Sequence, residues 1–556
     1  MKEYILAYFT VLILMALGCE AETNNKELAT GITGMVSSAH PIATNAGLEI
    51  LKKGGNAFDA AIAVAATLNV VEPMMSGIGG YGTILIYDAK KSQVRFLDSS
   101  GKIPAKTCSD AFREPTPGYL ENRKGPKAVS TPGNLEAWET LSKTYGTLEW
   151  SQLFEEAIKS ADEGFIVDKR TAFLIEDAFP SFPDHAKKFY GQNGQPLREG
   201  EKLVQKGLAK TMRLVAHDGA QVLYHGDLGK LIDAEMHQTG GFLSFQDLQT
   251  HKAEWWEPIS IHYRDAVVYT AAPPSTAFPS LIRLGLMSQF NVKKLGHNSL
   301  DMLHIFIEVT KHAFYCRLQY AGDPEINPPP LDILLSRKYW EKQAKAIDLK
   351  HAKPFTYPGQ CETGAQHTTH FVVADSYGNI VSATQTLGNS FGSRVMPKGT
   401  GIWLNNSLAY CTFEPPGNPM DAHPGQRKLS GDCPTIIFKN GKPWAALGTP
   451  GGHTIGQTVP QMVMNLVDFN MDIAGAIAAL RVSFIEPDMI AVEEGIEKKI
   501  VDSLISRGHK IRIIKKPGGL GNAHGLTIEY DHQGKPIHFT GAADPRGSGS
   551  AKGLRP

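Results

Sequence analysis

Two hydrophobic patterns alternate along this chain, one with a period of two residues and one with helical spacing. Thr368–Ala374 and Ile380–Thr386 are β-branched runs separated by Asp375-Ser-Tyr-Gly-Asn379, which predicts two strands joined by a turn. Met35–Ser38, Thr83–Tyr87, Val94–Asp98, Ile259–Tyr263, Ala266–Thr270, Thr435–Phe438, Trp444–Leu447, Lys510–Lys515, Leu526–Glu529 and Ile537–Thr540 read as further strands. Helical spacing marks Ile42–Leu51, Leu135–Leu141, Trp150–Ala161, Ala172–Ala178, Leu208–Ala216, Leu281–Phe290, Ser299–Cys316, Glu497–Ser506 and a segment after Gly452. Ala57–Val71 is apolar on nearly every face, so it predicts a helix covered all round, between a sheet and an outer helix. Asp59 within it needs either a hydrogen-bonding partner or a place at the helix N-terminus. The alternation of strand and helix is consistent with sheets covered by helical layers.

Three stretches interrupt the pattern. Ser76-Gly-Ile-Gly-Gly-Tyr-Gly82 is glycine-rich but lacks the lysine of a phosphate loop and precedes a strand, so close backbone packing is the expectation. Lys350–Gln366 carries two prolines, two glycines and few apolar residues, the makeup of an exposed segment. Ile5–Leu17 is an apolar run shorter than the ~20 residues of a membrane-spanning helix and near the length of a signal-peptide core. Export is the expectation, with residues 1–21 removed, or with Leu17-Gly-Cys19 cut as a lipoprotein box and Cys19 carrying a lipid anchor; the destination is then periplasmic, extracellular or membrane-anchored.

Composition narrows the class further. The 56 basic and 56 acidic residues balance, which gives no electrostatic footprint for a nucleic-acid partner. The 6 cysteines show no CxxC spacing and the histidines no HExxH, so neither metal nor other cofactor is expected; Cys411–Cys433 is a possible single bridge in an exported protein.

The chemistry lies at the start of the central hairpin. Cleavage between His367 and Thr368 would leave one residue with both a hydroxyl nucleophile and a free α-amine, whose ordinary pKa of about 7.7–8.0 suits a general base near neutral pH. Thr368-Thr-His, Asn389-Ser-Phe-Gly-Ser393, Gly401-Ile-Trp-Leu-Asn-Asn406, Gly448-Thr-Pro-Gly-Gly452 and Asp544-Pro-Arg546, with Gly54–Ala61, Ser76–Gly80, Thr131-Pro-Gly133 and Pro273-Pro-Ser275 in the earlier half, resemble the γ-glutamyltransferase family of N-terminal-nucleophile hydrolases. The resemblance implies an α+β fold, a four-layer αββα sandwich, built by one precursor that cuts itself into a large subunit, residues 22–367, and a small subunit, residues 368–556, the two forming one domain and a heterodimer. It also implies Thr368 as nucleophile, Thr386 as the threonine that orients it, and Gly451 and Gly452 as oxyanion donors.

The substrate positions depart from the family pattern. Ser100 stands where members acting on glutathione carry an arginine for the glutamyl α-carboxylate, with Lys102 nearby as a point charge at best. Tyr410 stands for the acid that holds the α-ammonium, and Ser407 for a polar amide or acid. Of two carboxylate-binding serines only Ser430 remains; Gly388 replaces an asparagine, with Asn389 following directly; and the loop from Tyr410 to Ser430 is short for a full lid. These changes resemble the cephalosporin-acylase-like branch. The implied activity is transfer or hydrolysis of a γ-glutamyl, glutathione-like or related acyl amide through an acyl-Thr368 intermediate, with water or an amine as acceptor. The alternatives are an acylase for non-zwitterionic, glutaryl-like amides and a catalytically idle binding protein on the same scaffold.

Overall fold

The structure, a computed structural model, describes residues 28–113, 121–357, 367–427, 429–515 and 519–555. The expected signal segment with Cys19, and the end of the segment leading to His367, lie outside the described residues.

Two seven-stranded sheets carry the fold. In the first the order is Ser550–Leu554, Gly34–Ser38, His367–Asp375, Ile380–Gly388, Tyr81–Asp88, Gln93–Asp98 and Glu254–Trp256; the second runs from Ala29–Gly31 through Pro536–Ala543, His524–Tyr530, Lys442–Gly448, Thr435–Lys439 and Ala266–Thr270 to Ile259–Tyr263. Period-two side chains give each sheet two apolar faces. Along His367–Asp375, Phe371 and Val373 join the core beneath the helices Pro41–Lys52, Ala57–Val71 and Asn134–Tyr145. Val372 and Ala374 instead meet Ile436, Ala446, Leu526 and Phe539 of the second sheet. A third core lies outside that sheet, under the helices Phe278–Met287, Leu300–Tyr320 and Ile455–Val467. Three apolar layers between four structural layers make this the αββα sandwich.

The helix Ala57–Val71 is buried along its whole length, as its sequence requires. Both readings of Asp59 hold together: its carboxylate closes a capping box with Asn56 and accepts from the Thr147 backbone N–H and, at 2.6 Å, from the Thr147 hydroxyl. The Lys510–Lys515 run does form a strand, Ile511–Ile514, but in a separate three-stranded sheet, parallel to Met489–Glu493. The expected Cys411–Cys433 bridge is absent. The two do not bond to each other: Cys433 lies in the core under the second helical layer and Cys411 in a different cluster with Phe112 and Phe413. Among the described residues no helix is long and apolar enough to cross a membrane.

Candidate active site

The hairpin is the middle of the first sheet, so its strands are held on both sides and its inner face looks into the space between the sheets. Ile380–Gly388 pairs with Tyr81–Asp88 in a register that puts Thr386 opposite Tyr81. At the His367 end the pairing with Ile380–Gly388 slips: His367 faces Gly388 while Thr369 faces Gln385, a bulge at the bond before Thr368. The bulge turns the Thr386 side chain into a hub. Its Oγ1 accepts from the Gly388 N–H at 2.7 Å and from the Thr368 hydroxyl at 3.2 Å, and donates to the His367 carbonyl oxygen at 2.6 Å. Thr368 and Thr386 are both buried.

Two imidazoles flank this hub, His370 fully buried and His367 part-buried. Burial pushes the His367 imidazole down to about 4, with the Arg170 guanidinium adding to the effect. Burial, then the neighbouring His524, holds His370 well below its ordinary value, and its Nδ1 lies 2.9 Å from the Thr384 hydroxyl.

The glycine-rich loop approaches as its sequence suggests. A side chain at Gly80 would collide with the Thr386 carbonyl, and Gly79 accepts from the Asn405 backbone and side-chain amides through its carbonyl. Gly451 has φ +135° and Gly452 φ +58°, values that favour glycine, and Gly452–Thr454 is a 3₁₀ turn opening the helix Ile455–Val467. Gly431 packs against the Gly452 carbonyl and the Tyr410 hydroxyl, while Tyr410 shares an apolar cluster with Tyr81, Ala321, Met420 and Leu429. The short loop thus folds down onto Tyr410 and Tyr81.

The remaining sequence-nominated residues divide. Ser430 is pinned beside the Pro273-Pro-Ser275 turn, its N–H donating to the Pro274 carbonyl and its carbonyl accepting from the Thr276 N–H, while its hydroxyl accepts from the Asp432 N–H at 3.2 Å. The Asn389 N–H donates to Asn406 Oδ1, next to the hub strand. Ser407 is held by Ser130 and by Asn405, and Ser100 by Asp98, whose carboxylate accepts from the Ser100 hydroxyl at 2.8 Å. The structure therefore spends both hydroxyls on neighbouring side chains. Sequence reading missed Arg427, whose Nε lies 3.9 Å from Asp98; Glu325, Glu254 and Asp323 stand around the same guanidinium. It also missed Glu72, which accepts from the Thr369 hydroxyl at 2.8 Å. No local motif announces either residue.

Comparison with known proteins decides the family. The model described as gamma-glutamyltranspeptidase matches residues 43–554. The chain belongs to that family. The γ-glutamyltranspeptidase match agrees with individual relatives: a glutathione hydrolase proenzyme of Bacillus subtilis (strain 168) is 34% identical over 553 residues, covering 95% of this chain and 93% of the relative. An acylase ACY 1 proenzyme of Pseudomonas sp. (strain V22) is 33% identical over 541 residues, covering 95% of each. Among solved structures, cephalosporin acylase from Bacillus halodurans superposes with a TM-score of 0.88 at 29% identity, covering 97% of this chain and 98% of the other. This chain is thus an enzyme of the γ-glutamyltranspeptidase family, with both glutathione hydrolases and acylases among its relatives.

Proposed function

We propose that this enzyme cuts itself before Thr368 and then transfers or hydrolyses a γ-glutamyl or related acyl amide through an ester on the Thr368 hydroxyl. The three bonds of Thr386 at the His367–Thr368 junction carry the reading. Thr368 Oγ1 attacks the His367 carbonyl carbon; its proton passes to Thr386 Oγ1 as the Thr386 proton moves to the carbonyl oxygen, so no charged base is needed in a buried site. The C–N bond breaks as the proton of that tetrahedral hydroxyl passes to the nitrogen and the carbonyl re-forms, leaving His367 esterified on Thr368. Water then hydrolyses the ester, freeing the His367 carboxylate and returning the Thr368 hydroxyl, now beside the free amine. In turnover that amine serves as base for its own hydroxyl, Thr386 orients the nucleophile, and the Gly451 and Gly452 N–H groups bind the oxyanion. Ser430, Asn389 and Tyr410 border the acyl pocket. The residues before the cut, 22–367, and after it, 368–556, form the two subunits of the mature enzyme, exported by the leader that ends near residue 21 or anchored through Cys19.

The substrate positions favour a second reading of the acyl group. Ser100 is committed to Asp98, Arg427 stands among carboxylates, and Tyr410 sits among Tyr81, Met420 and Leu429, which suits an acyl chain without the amino-acid zwitterion. Parallel assays of a γ-glutamyl anilide and a glutaryl amide decide between the two: faster turnover of the glutaryl compound supports the acylase reading, and strong preference for the γ-glutamyl compound removes it. A chain that stays near 60.5 kDa on a denaturing gel, with Thr368→Ala indistinguishable from wild type, would instead leave only a binding protein.

A further inference from the structure

Scission before Thr368 turns an interior strand residue into a chain end, and chain ends fray unless something ties them. The ladder offers little help at this point, because its register slips between His367 and Thr369. The tie lies one residue further on, and on the other face. Thr369 Oγ1 donates to Glu72 Oε2 at 2.8 Å in a buried bond, and Glu72 is the residue that closes the fully buried helix Ala57–Val71. Arg170 Nη1 lies 3.7 Å from the other carboxylate oxygen.

Resting on the Thr368 reading above, we propose that Glu72, acting through Thr369, is the positioning residue that holds the freed Thr368 amine over its own hydroxyl and keeps a negative charge beneath it. The bond joins the second residue of the new chain to the most deeply buried helix of the outer layer, so the amine inherits the rigidity of the core. The second threonine of Thr368-Thr-His thereby acquires a role distinct from the first. Gln385, its ladder partner, has neither side-chain amide atom hydrogen-bonded, so Thr369 ties to the helix and not across the hairpin.

The charge has its own consequence. Around Glu72 stand Arg170 and Asp168, the latter beside His40, while His367 lies within the field of Arg170, Asp177 and Arg394. Burial raises the Glu72 pKa and Asp168 adds to the rise, while Arg170 and the Thr369 hydroxyl oppose it without reversing it. An ionised carboxylate below the chain end favours the ammonium form of the amine, so its removal lowers the amine pKa.

Two variants of the full chain test this, with cutting scored on a gel separately from turnover of an acyl anilide. Thr369→Val is expected to be cut yet to lose at least tenfold in kcat with KM unchanged, and Thr369→Ser to restore kcat. Glu72→Gln keeps an acceptor for Thr369 but removes the charge, so the acid limb of kcat/KM is expected to move to lower pH by half a unit or more. A cut, active wild type whose Thr369→Val matches it in kcat and whose Glu72→Gln profile superimposes overturns the anchor while leaving Thr368 in place. If Thr369→Val is not cut, the Glu72→Gln profile alone decides in the same two directions. A wild type that is never cut overturns the Thr368 reading itself.

Discussion

Thr386→Val is the sharpest perturbation of the hub, because valine matches threonine in shape and removes only the hydroxyl. Three bonds go with it: the 2.7 Å acceptor for the Gly388 N–H, the 3.2 Å acceptor for Thr368, and the 2.6 Å donor to the scissile carbonyl. The lost donor acts where negative charge develops, a contribution of about 2.7–4 kcal/mol per donor in comparable sites, or roughly a 10²–10³-fold slower step. The Gly388 N–H, left buried without a partner, costs about 1–3 kcal/mol of stability in addition. Purified Thr386→Val is therefore expected to accumulate as uncut chain, with conversion into two bands slowed at least a hundredfold under conditions where Thr386→Ser is cut at a rate close to wild type. Far-UV circular dichroism and a melting curve confirm that the uncut protein is folded. Cutting of Thr386→Val at the wild-type rate would refute the relay outright, because the relay runs through the Thr386 hydroxyl.

Gly451→Ala forces a side chain onto a residue at φ +135° and against Thr454, so the turn proposed to bind the oxyanion shifts; kcat toward any acyl anilide is expected to fall about 10²-fold while KM changes little. Arg481 and Asp544 form a fully buried pair at 2.8 Å, with Arg546 and Glu493 beside them. Asp544→Ala is expected to cost about 3–5 kcal/mol in denaturant unfolding, whereas joint replacement by Met and Leu costs far less. Burial holds His40 and His312 at about 4, below the unfolded value near 6.5, so each is neutral in the fold and protonates more readily when unfolded. Above pH 6.5 neither affects stability; as pH falls from 6.5 to 4 each removes up to about 3 kcal/mol, and His312→Gln is expected to flatten that acid loss.

Much of the architecture was legible because burial leaves a strong imprint on composition. A helix apolar on all faces has only one place in a layered fold, and Ala57–Val71 occupies it. The hairpin was equally plain, since β-branched residues flank an Asp-Ser-Tyr-Gly-Asn turn. What period-two patterning cannot encode is a register slip of one residue, and the bulge that makes Thr386 a hub is such a slip. Long-range polar contacts are hidden for a similar reason. Glu72 and Thr369 are 297 positions apart, and Arg427 gathers carboxylates from three distant segments. The strand Ile511–Ile514 was found but not its sheet, because its parallel partner Met489–Glu493 carries little signal of its own. The cysteine pair failed because spacing says nothing about which apolar cluster each thiol joins.

The account stands or falls on one residue being both chain end and nucleophile. Intact-mass and peptide mapping of the purified enzyme, quenched during turnover of a slow acyl amide, measures both at once. The expected result is a fragment beginning at Thr368 that carries the acyl mass on that residue; an uncut chain, or an acyl group found on any other side chain, would contradict it.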